Sequence, residues 1–244
     1  MNELHLFAGV GGGILGGMLL GHTPVCAVEI EPYRRKVLLQ RQVDGILPAF
    51  PIWDDIKTFD GKPWGGIAEC VCGGFPCQDI SLAGGSGEGI EGEKSGLWKE
   101  MFRVVCEVHP RYVFVENSPA ITFRGIDRVL GDLAVIGYNA KWGVFSASDV
   151  GAKHERIRMF IMANSTETRW RGWKTREDDL QESTIAKFQS LKDGYGGIHT
   201  KIWDEAILPA MGVADGVAVN VDGIAAAGDG QVPAVVRLAW ETLI

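Results

Sequence analysis

Residues 4–14 read Leu4-His5-Leu6-Phe7-Ala8-Gly9-Val10-Gly11-Gly12-Gly13-Ile14, and this stretch decides the fold. The apolar residues predict a strand, and the glycines predict a tight turn that opens a helix. A second apolar run at 25–28 follows the helical segment 14–20, which completes a strand-helix-strand unit. Glycines let a ligand approach the backbone, and a helix N-terminus offers unpaired N–H groups. The turn is therefore a candidate ligand site, although a plain strand-to-helix connection has the same pattern.

The same alternation continues downstream. Apolar runs recur at 67–72, 112–115 and 159–163, and helix-like segments at 96–109 and 126–136 separate them. Strands that alternate with helices indicate an α/β fold. We predict a mostly parallel sheet with helices on both faces.

The composition changes after Asn164. Residues 165–205 are polar, rich in charge and tryptophan, and without a clear helix or strand period. Residues 232–243 regain a helical pattern, which we expect to pack back onto the first part of the chain. The predicted organisation is one domain from 1–164 plus 206–244, with a small insertion at 165–205.

Bulk composition indicates a soluble globular protein. The chain has 244 residues, of which 46% are hydrophobic and 23% charged. It has neither a long apolar run nor a signal-peptide pattern, so a cytoplasmic protein with no membrane contact is expected. We also expect a monomer. The net charge of −7 argues against non-specific phosphate binding over the whole surface, but a locally basic cleft could still hold nucleic acid.

The five cysteines are an odd number in a chain without secretion signals, so free thiols are expected. Their spacing is not that of a zinc site, and no metal is predicted. Cys77 follows the apolar run 67–72 on the polar loop Gly73-Gly74-Phe75-Pro76-Cys77-Gln78. Its thiol is a candidate nucleophile, because loops at strand ends carry chemistry and the thiolate is the reactive form. The other cysteines fit a role as small buried side chains.

Acidic residues follow two further apolar runs. Glu29 ends the second predicted strand, where a carboxylate can accept hydrogen bonds from both hydroxyls of a ribose. Asp55, beside Asp54, could accept from an adenine amino group. Taken singly, each acid could equally be a solvated loop charge.

A second cluster combines an acid, an amide and two arginines. Glu116 and Asn117 end the apolar run that begins at residue 112. Arg156 and Arg158 precede the run 159–163, and strand alternation predicts that they lie side by side on one face.

Four ordered motifs together resemble the DNA cytosine carbon-5 methyltransferases: Phe7-Ala8-Gly9-x-Gly11-Gly12, Gly74-Phe75-Pro76-Cys77-Gln78, Glu116-Asn117 and Arg156-x-Arg158. The resemblance implies a Rossmann-like methyltransferase fold, S-adenosylmethionine as methyl donor, and a target-recognition region at 165–205. The residues implied to contact the donor are Phe7, Ala8, Gly9, Gly11, Gly12, Glu29, Ile30, Asp55, Ile56, Pro76, Leu97 and Asp229.

The resemblance also implies a reaction. Cys77 adds to carbon 6 of a cytosine flipped out of double-stranded DNA, and Glu116 supplies a proton at ring nitrogen 3. Arg158 holds the exocyclic oxygen, and Arg156 holds a neighbouring acid or phosphate. A cognate restriction endonuclease is a possible partner, and the glycine-rich segment 81–96 is a candidate closing loop.

Two departures from the family pattern keep alternatives open. Asp229 stands where the family usually has asparagine, and residues 215–223 contain no arginine or lysine. These features suggest a weakened relative that binds DNA or the donor without turnover. A cytosine methyltransferase acting on RNA is a further alternative.

Overall fold

The computed structural model describes residues 1–76, 97–166 and 230–244. Its strands are β1 (Asn2–Leu6), β2 (Thr23–Val28), β3 (Ile52–Trp53), β4 (Cys70–Gly73), β5 (Tyr112–Asn117), β6 (Tyr138–Phe145) and β7 (Arg158–Ser165). The helices are α1 (Gly12–Leu19), α2 (Pro32–Val43), α3 (Leu97–Val108), α4 (Ile121–Arg124), α5 (Ile126–Val135) and α6 (Pro233–Leu243). Short 3₁₀ helices span Lys62–Trp64 and Ala147–Val150.

The strands of the described ranges form one seven-stranded sheet in the order β3-β2-β1-β4-β5-β7-β6. The pairs among β1 to β5 are parallel, whereas β7 runs antiparallel to both β5 and β6. The predicted mostly parallel sheet is therefore confirmed, but the sequence did not predict β6 or the reversed direction of β7. Strand order reverses at β1, which pairs with β2 on one side and β4 on the other. Ligands bind at such switch points in open α/β sheets.

Helices cover both faces of the sheet, as predicted. On one face, Leu4 and Leu6 of β1 pack in a core with α3 and α5. The largest fully buried side chain of this core is Trp98. On the other face, Phe114 of β5 packs with α6 through Trp240. Side chains alternate between the two faces along each strand. Because helices cover both faces, both sets of side chains are buried, which explains why the strands appear in the sequence as largely unbroken apolar runs.

The helix predicted at 232–243 is observed as α6, and it lies against α1. A side chain at Gly16 would bring its Cβ within 2.5 Å of Cβ and Cγ1 of Val236. The two helices can approach this closely only because position 16 carries no side chain. The predicted insertion at 165–205 lies outside the described residues from 167 onward.

A charged cluster is buried beneath α1. The carboxylate of Glu3 accepts hydrogen bonds from Nε2 of His5 at 3.0 Å and from Nδ1 of His22 at 2.8 Å. Burial alone would raise the pKa of Glu3, but the two histidines outweigh it and lower the pKa to about 2. Gly17 permits this arrangement, because a Cβ there would clash with Oε2 of Glu3.

The four cysteines in the described ranges are free thiols, as predicted for them: Cys26, Cys70, Cys72 and Cys106. Burial raises the pKa of Cys26 to about 12 and also raises the pKa values of Cys70 and Cys72. These thiols therefore stay protonated and unreactive at neutral pH. In the same ranges, no helix is both long and apolar enough to cross a membrane.

Candidate active site

A cavity of about 550 Å³ opens at the switch point of the sheet. Its walls come from the glycine turn after β1 and from the residues that follow β2, β4 and β5. The segment before α6 closes a further side with Gly230 and Gln231. Parallel strands bring their carboxyl ends to one edge, which is why residues far apart in the sequence converge here.

The glycine turn has a left-handed backbone at Phe7, Gly9 and Gly11, with φ values of 54°, 58° and 92°. The N–H of Ala8 donates to the carbonyl of Val28 at 3.0 Å, which fixes the turn to the end of β2. A Cβ at Gly9 would meet no other atom within 4 Å, so the glycine is required by its φ rather than by crowding. Phe7, Ala8 and Gly9 of this turn line the cavity.

Glu29 joins the turn to the end of β2. Its Oε2 accepts from the N–H of Gly9 at 2.7 Å and its Oε1 from the N–H of Glu31 at 2.9 Å. Each carboxylate oxygen has two lone pairs, so this buried side chain retains capacity to accept from ligand hydroxyls. Arg35 donates to the carbonyl of Glu29 at 2.9 Å, while the neighbouring Ile30 keeps 61% of its surface exposed.

The loop after β3 carries Asp55 and Ile56, which both line the cavity. It is tied to α3 by Arg103, which donates to the carbonyls of Ile56 at 2.6 Å and Phe59 at 3.0 Å. Glu107, on the next turn of α3, pairs with Arg103 at 2.8 Å and accepts from the N–H of Gly61 at 2.8 Å. Sequence reasoning missed these two residues.

Glu116, the next-to-last residue of β5, is a buried acid with an exposed fraction of 9%. Arg158 approaches Oε1 of this carboxyl group at 2.9 Å through its Nε atom. Burial raises the pKa of Glu116, and the positive charges of Arg158 and Arg156 counter it only in part. Glu116 therefore keeps a proton to a higher pH than an ordinary carboxyl group, which suits it to donate one.

Asn117 connects β5 to the loop that leads to the candidate nucleophile. Its Nδ2 donates to the carbonyl of Phe75 at 3.2 Å, and its Oδ1 accepts from the N–H of Ser118 at 2.8 Å. Pro76 lines the cavity and directly precedes Cys77, which lies outside the described residues. The last described position before Cys77 is thus at the cavity wall.

The arginines differ from the sequence prediction. Arg158 opens β7, but Arg156 has a φ of 36° and precedes the strand, so strand alternation does not make them neighbours on one face. Arg156 instead donates from Nη2 to the carbonyl of Gly230. Both side chains nevertheless act on Glu116, because each lowers its pKa.

Most of the residues predicted for the site line this same cavity: Phe7, Ala8, Gly9, Glu29, Ile30, Asp55, Ile56, Pro76, Leu97, Glu116 and Arg158. Gly11 and Gly12 are not among them. A Cβ at Gly11 would meet Leu38 at 2.9 Å, and the carbonyl of Gln231 covers Gly12. Asp229 lies outside the described residues.

Among the described residues, one group has the spacing of metal ligands. Potential donor atoms of Glu3, His5 and Cys72 lie within 4.8 Å of one another. Glu3 already accepts from two histidines there, and burial raises the pKa of Cys72 well above its ordinary value. The contacts observed at this group are the hydrogen bonds of the Glu3 carboxylate with the two histidines.

Comparison with known proteins adds sequence relationships. The family model for C-5 cytosine-specific DNA methylases matches residues 1–206. The chain is 35% identical over 161 residues to the Type II methyltransferase M.CviJI of Paramecium bursaria Chlorella virus IL3A, which covers 66% of this chain and 42% of that protein. It is 34% identical over 185 residues to the Type II methyltransferase M.Sau3AI of Staphylococcus aureus, with 66% and 43% covered. The chain therefore spans less than half the length of these curated relatives.

Solved structures share the fold. The Dnmt2 methyltransferase of S. pombe superimposes with a TM-score of 0.55 at 20% identity, covering 68% of this chain and 50% of that one. The methyltransferase EhMeth of Entamoeba histolytica gives a TM-score of 0.57 at 17% identity, covering 69% and 54%. Both confirm the Rossmann-like methyltransferase architecture.

Proposed function

Because the chain belongs to the C-5 cytosine-specific DNA methylase family, we propose that it methylates carbon 5 of cytosine in DNA. S-adenosylmethionine is the proposed donor and Cys77 the proposed nucleophile. One observation carries the proposal: the buried, proton-retaining acid Glu116 shares a cavity with the glycine turn and Glu29. The proposed proton donor and the carboxylate proposed for the nucleoside therefore line the same cavity.

The half of the cavity near β2 suits a nucleoside. Glu29 can accept from the two ribose hydroxyls with the lone pairs that Gly9 and Glu31 leave unused. Ile30 offers an exposed apolar surface to one face of a base, and Asp55 offers a carboxylate to its amino group. When bound, S-adenosylmethionine supplies an electrophilic methyl group on a sulfonium. The residues named here bind and orient it.

The half near β5 suits the target base. The thiolate of Cys77 forms a bond to carbon 6, and the proton of Glu116 passes to ring nitrogen 3, so negative charge does not accumulate on the ring. Carbon 5 then gains nucleophilic character and takes the methyl group. Solvent water takes the proton from carbon 5, Cys77 departs as a thiolate, and the proton on ring nitrogen 3 returns to Glu116, which restores the aromatic ring. Arg158 keeps Glu116 in place and offers further N–H donors to the exocyclic oxygen.

The substrate is proposed to be double-stranded DNA, from which the target cytosine is flipped into the cavity. Ring carbons 5 and 6 of a stacked base are inaccessible to Cys77, and extrusion costs a few kcal/mol. The Type II methyltransferase relatives motivate a search for a cognate restriction endonuclease.

The test is transfer of a labelled methyl group from S-adenosylmethionine to duplex DNA, with RNA assayed in parallel. Cys77→Ser is compared with Cys106→Ser, which changes a free cysteine on α3 that does not line the cavity. We expect labelled 5-methylcytosine in DNA with the wild type and Cys106→Ser, and none with Cys77→Ser.

Two outcomes would contradict the proposal. Label recovered only in RNA would make the chain an RNA cytosine methyltransferase. No label in either polymer, from folded protein that binds the donor, would favour the weakened relative and direct attention to Asp229.

A further inference from the structure

Gln231 connects the glycine turn with the buried acid. It lies two residues before α6. Its main chain packs against Gly12 in the first turn of α1. A Cβ at Gly12 would clash with the carbonyl oxygen of Gln231, and a Cβ at Gly13 would clash with its side-chain Oε1. Gln231 therefore packs directly against Gly12 and Gly13, and a side chain at either position would displace it.

The other end of the same side chain reaches Glu116. Nε2 of Gln231 donates to Oε2 of Glu116 at 3.4 Å. A Cβ at Gly74 would lie 2.6 Å from that oxygen and 3.2 Å from Nε2 of Gln231. Gly74, three residues before Cys77, thus leaves the space in which the amide and the acid meet.

The two oxygens of Glu116 have different partners. Arg158 approaches Oε1 at 2.9 Å, and Gln231 approaches Oε2. The charged groups that act on Glu116 are Arg158, from β7, and Arg156, from the segment before it. The positive charge of Arg158 favours the ionised acid and lies against Oε1. In the neutral acid the proton is therefore carried by the other oxygen, Oε2.

A side-chain amide can serve both states of such an oxygen. Its NH₂ group donates to the carboxylate, and its carbonyl oxygen accepts from the carboxylic acid after the amide rotates by a half-turn. We propose that Gln231 is a positioning residue that holds Oε2 of Glu116 through its side-chain amide, and that it holds the carboxylate, to which its NH₂ group donates in the structure, more strongly than the neutral acid. The inference rests on the proposed function for what the proton does, but the contact itself does not depend on turnover.

The first test needs neither DNA nor donor. The carboxyl carbons of glutamate are labelled with ¹³C, the Glu116 signal is assigned by its loss in Glu116→Gln, and its titration midpoint is followed by NMR. Gln231→Leu removes a donor to the carboxylate, so we expect the midpoint to rise by roughly half a pH unit or more. Gln231→Glu adds a second acid of the same shape and should raise it further. Gln42→Leu is the control, because Gln42 donates to the carbonyl of Phe50 away from the cavity.

The second test follows single-turnover methyl transfer against pH. Gln231→Leu should lower the plateau rate by about tenfold and move the alkaline limb to higher pH, because the less well held acid keeps its proton longer. Donor affinity should change by less than about threefold, since the main chain of Gln231, not its side chain, covers Gly12.

An unchanged Glu116 midpoint in both folded Gln231 variants would overturn the proposal. If Gln231→Leu does not fold, the isosteric Gln231→Glu decides the same point. A shifted midpoint in a protein that transfers no methyl group would retain the role of Gln231 while refuting the proposed function. The two failures are therefore distinguishable.

Discussion

Arg103 donates from Nη2 to the carbonyl oxygen of Ile56 at 2.6 Å, and this bond joins α3 to the loop that carries Asp55. Two further contacts, from Arg103 to Phe59 and from Gly61 to Glu107, bind the same loop. The loop is thus held from outside the cavity by residues that do not line it. Its geometry is set before any ligand arrives, which lowers the ordering cost of binding.

Replacing Arg103 should weaken donor binding without abolishing it. Arg103→Met keeps much of the stem volume but frees the loop, and we expect the Kd for S-adenosylmethionine to rise by roughly fivefold. Calorimetric titration measures it. Arg128→Met is the matched control, because Arg128 pairs with Asp132 within α5, away from the cavity. Equal donor affinities in the two variants would refute the positioning role of Arg103.

Glu116→Gln tests the acid directly. The amide has nearly the same shape but cannot donate an acidic proton, so methyl transfer should fall by about 10²- to 10⁴-fold. Donor affinity, measured separately, should stay close to that of the wild type. In the wild type, the rate should fall as pH rises through the elevated pKa of Glu116, because the acid loses its proton. A variant as active as the wild type would remove Glu116 from the mechanism.

The buried carboxylate of Glu3 predicts an acid-dependent loss of stability. Folding lowers the pKa of Glu3 from 4.5 to about 2, so its contribution is complete above pH 4.5 and is lost as pH falls toward 2. A shift of this size corresponds to about 3 kcal/mol in the free energy of unfolding. Urea unfolding measured from neutral pH down to below pH 2 should show that Glu3→Gln is less stable than the wild type at neutral pH. The unfolding free energies of the two proteins should converge below pH 2.

The exposed acid Asp44 supplies the control for that experiment. Asp44→Asn should change the unfolding free energy by less than about 0.5 kcal/mol throughout. A constant difference between Glu3→Gln and the wild type at every pH would show that lost packing, not charge, is responsible.

Close approach of α1 and α6 predicts opposite effects for two glycine substitutions. At Gly16 a Cβ would lie 2.5 Å from Val236, so Gly16→Ala should destabilise the fold by about 1–3 kcal/mol. At Gly131, on α5, a Cβ would meet nothing within 4 Å, so Gly131→Ala should stabilise it by about 0.5–1 kcal/mol. Thermal unfolding measures both. Val236→Gly removes the Cβ and Cγ1 atoms that Gly16→Ala would meet, so in a double-mutant cycle it should relieve part of the cost of Gly16→Ala, and failure to do so would contradict the packing explanation.

The sequence predicted the residues that sit at strand ends. Glu29 and Glu116 each follow an apolar run, and parallel strands bring such positions together whatever their distance in sequence. The tail helix was also recoverable, because its apolar residues repeat with helical spacing. Local pattern was sufficient in these cases.

Other features depend on contacts that no local pattern specifies. The left-handed backbone at Arg156 broke the alternation expected before β7. Arg103 and Gln231 act through partners more than forty residues away, at Ile56 and Glu116. A signal for Gln231 was present, since it lies two residues after Asp229, the position at which the sequence departs from the family pattern. Only the fold shows that its amide faces the acid.

Gln231 and Glu116 are 115 positions apart in the chain, and this separation has a consequence for the order of synthesis. A ribosome releases β5 with its acid long before it releases α6. Closing so long a loop carries an entropic cost, so we expect α6 to dock late in folding. A nascent chain can therefore form most of the sheet while Oε2 of Glu116 still lacks Gln231 as its partner. Glu116 acquires its contact with Gln231 only when this distant segment arrives.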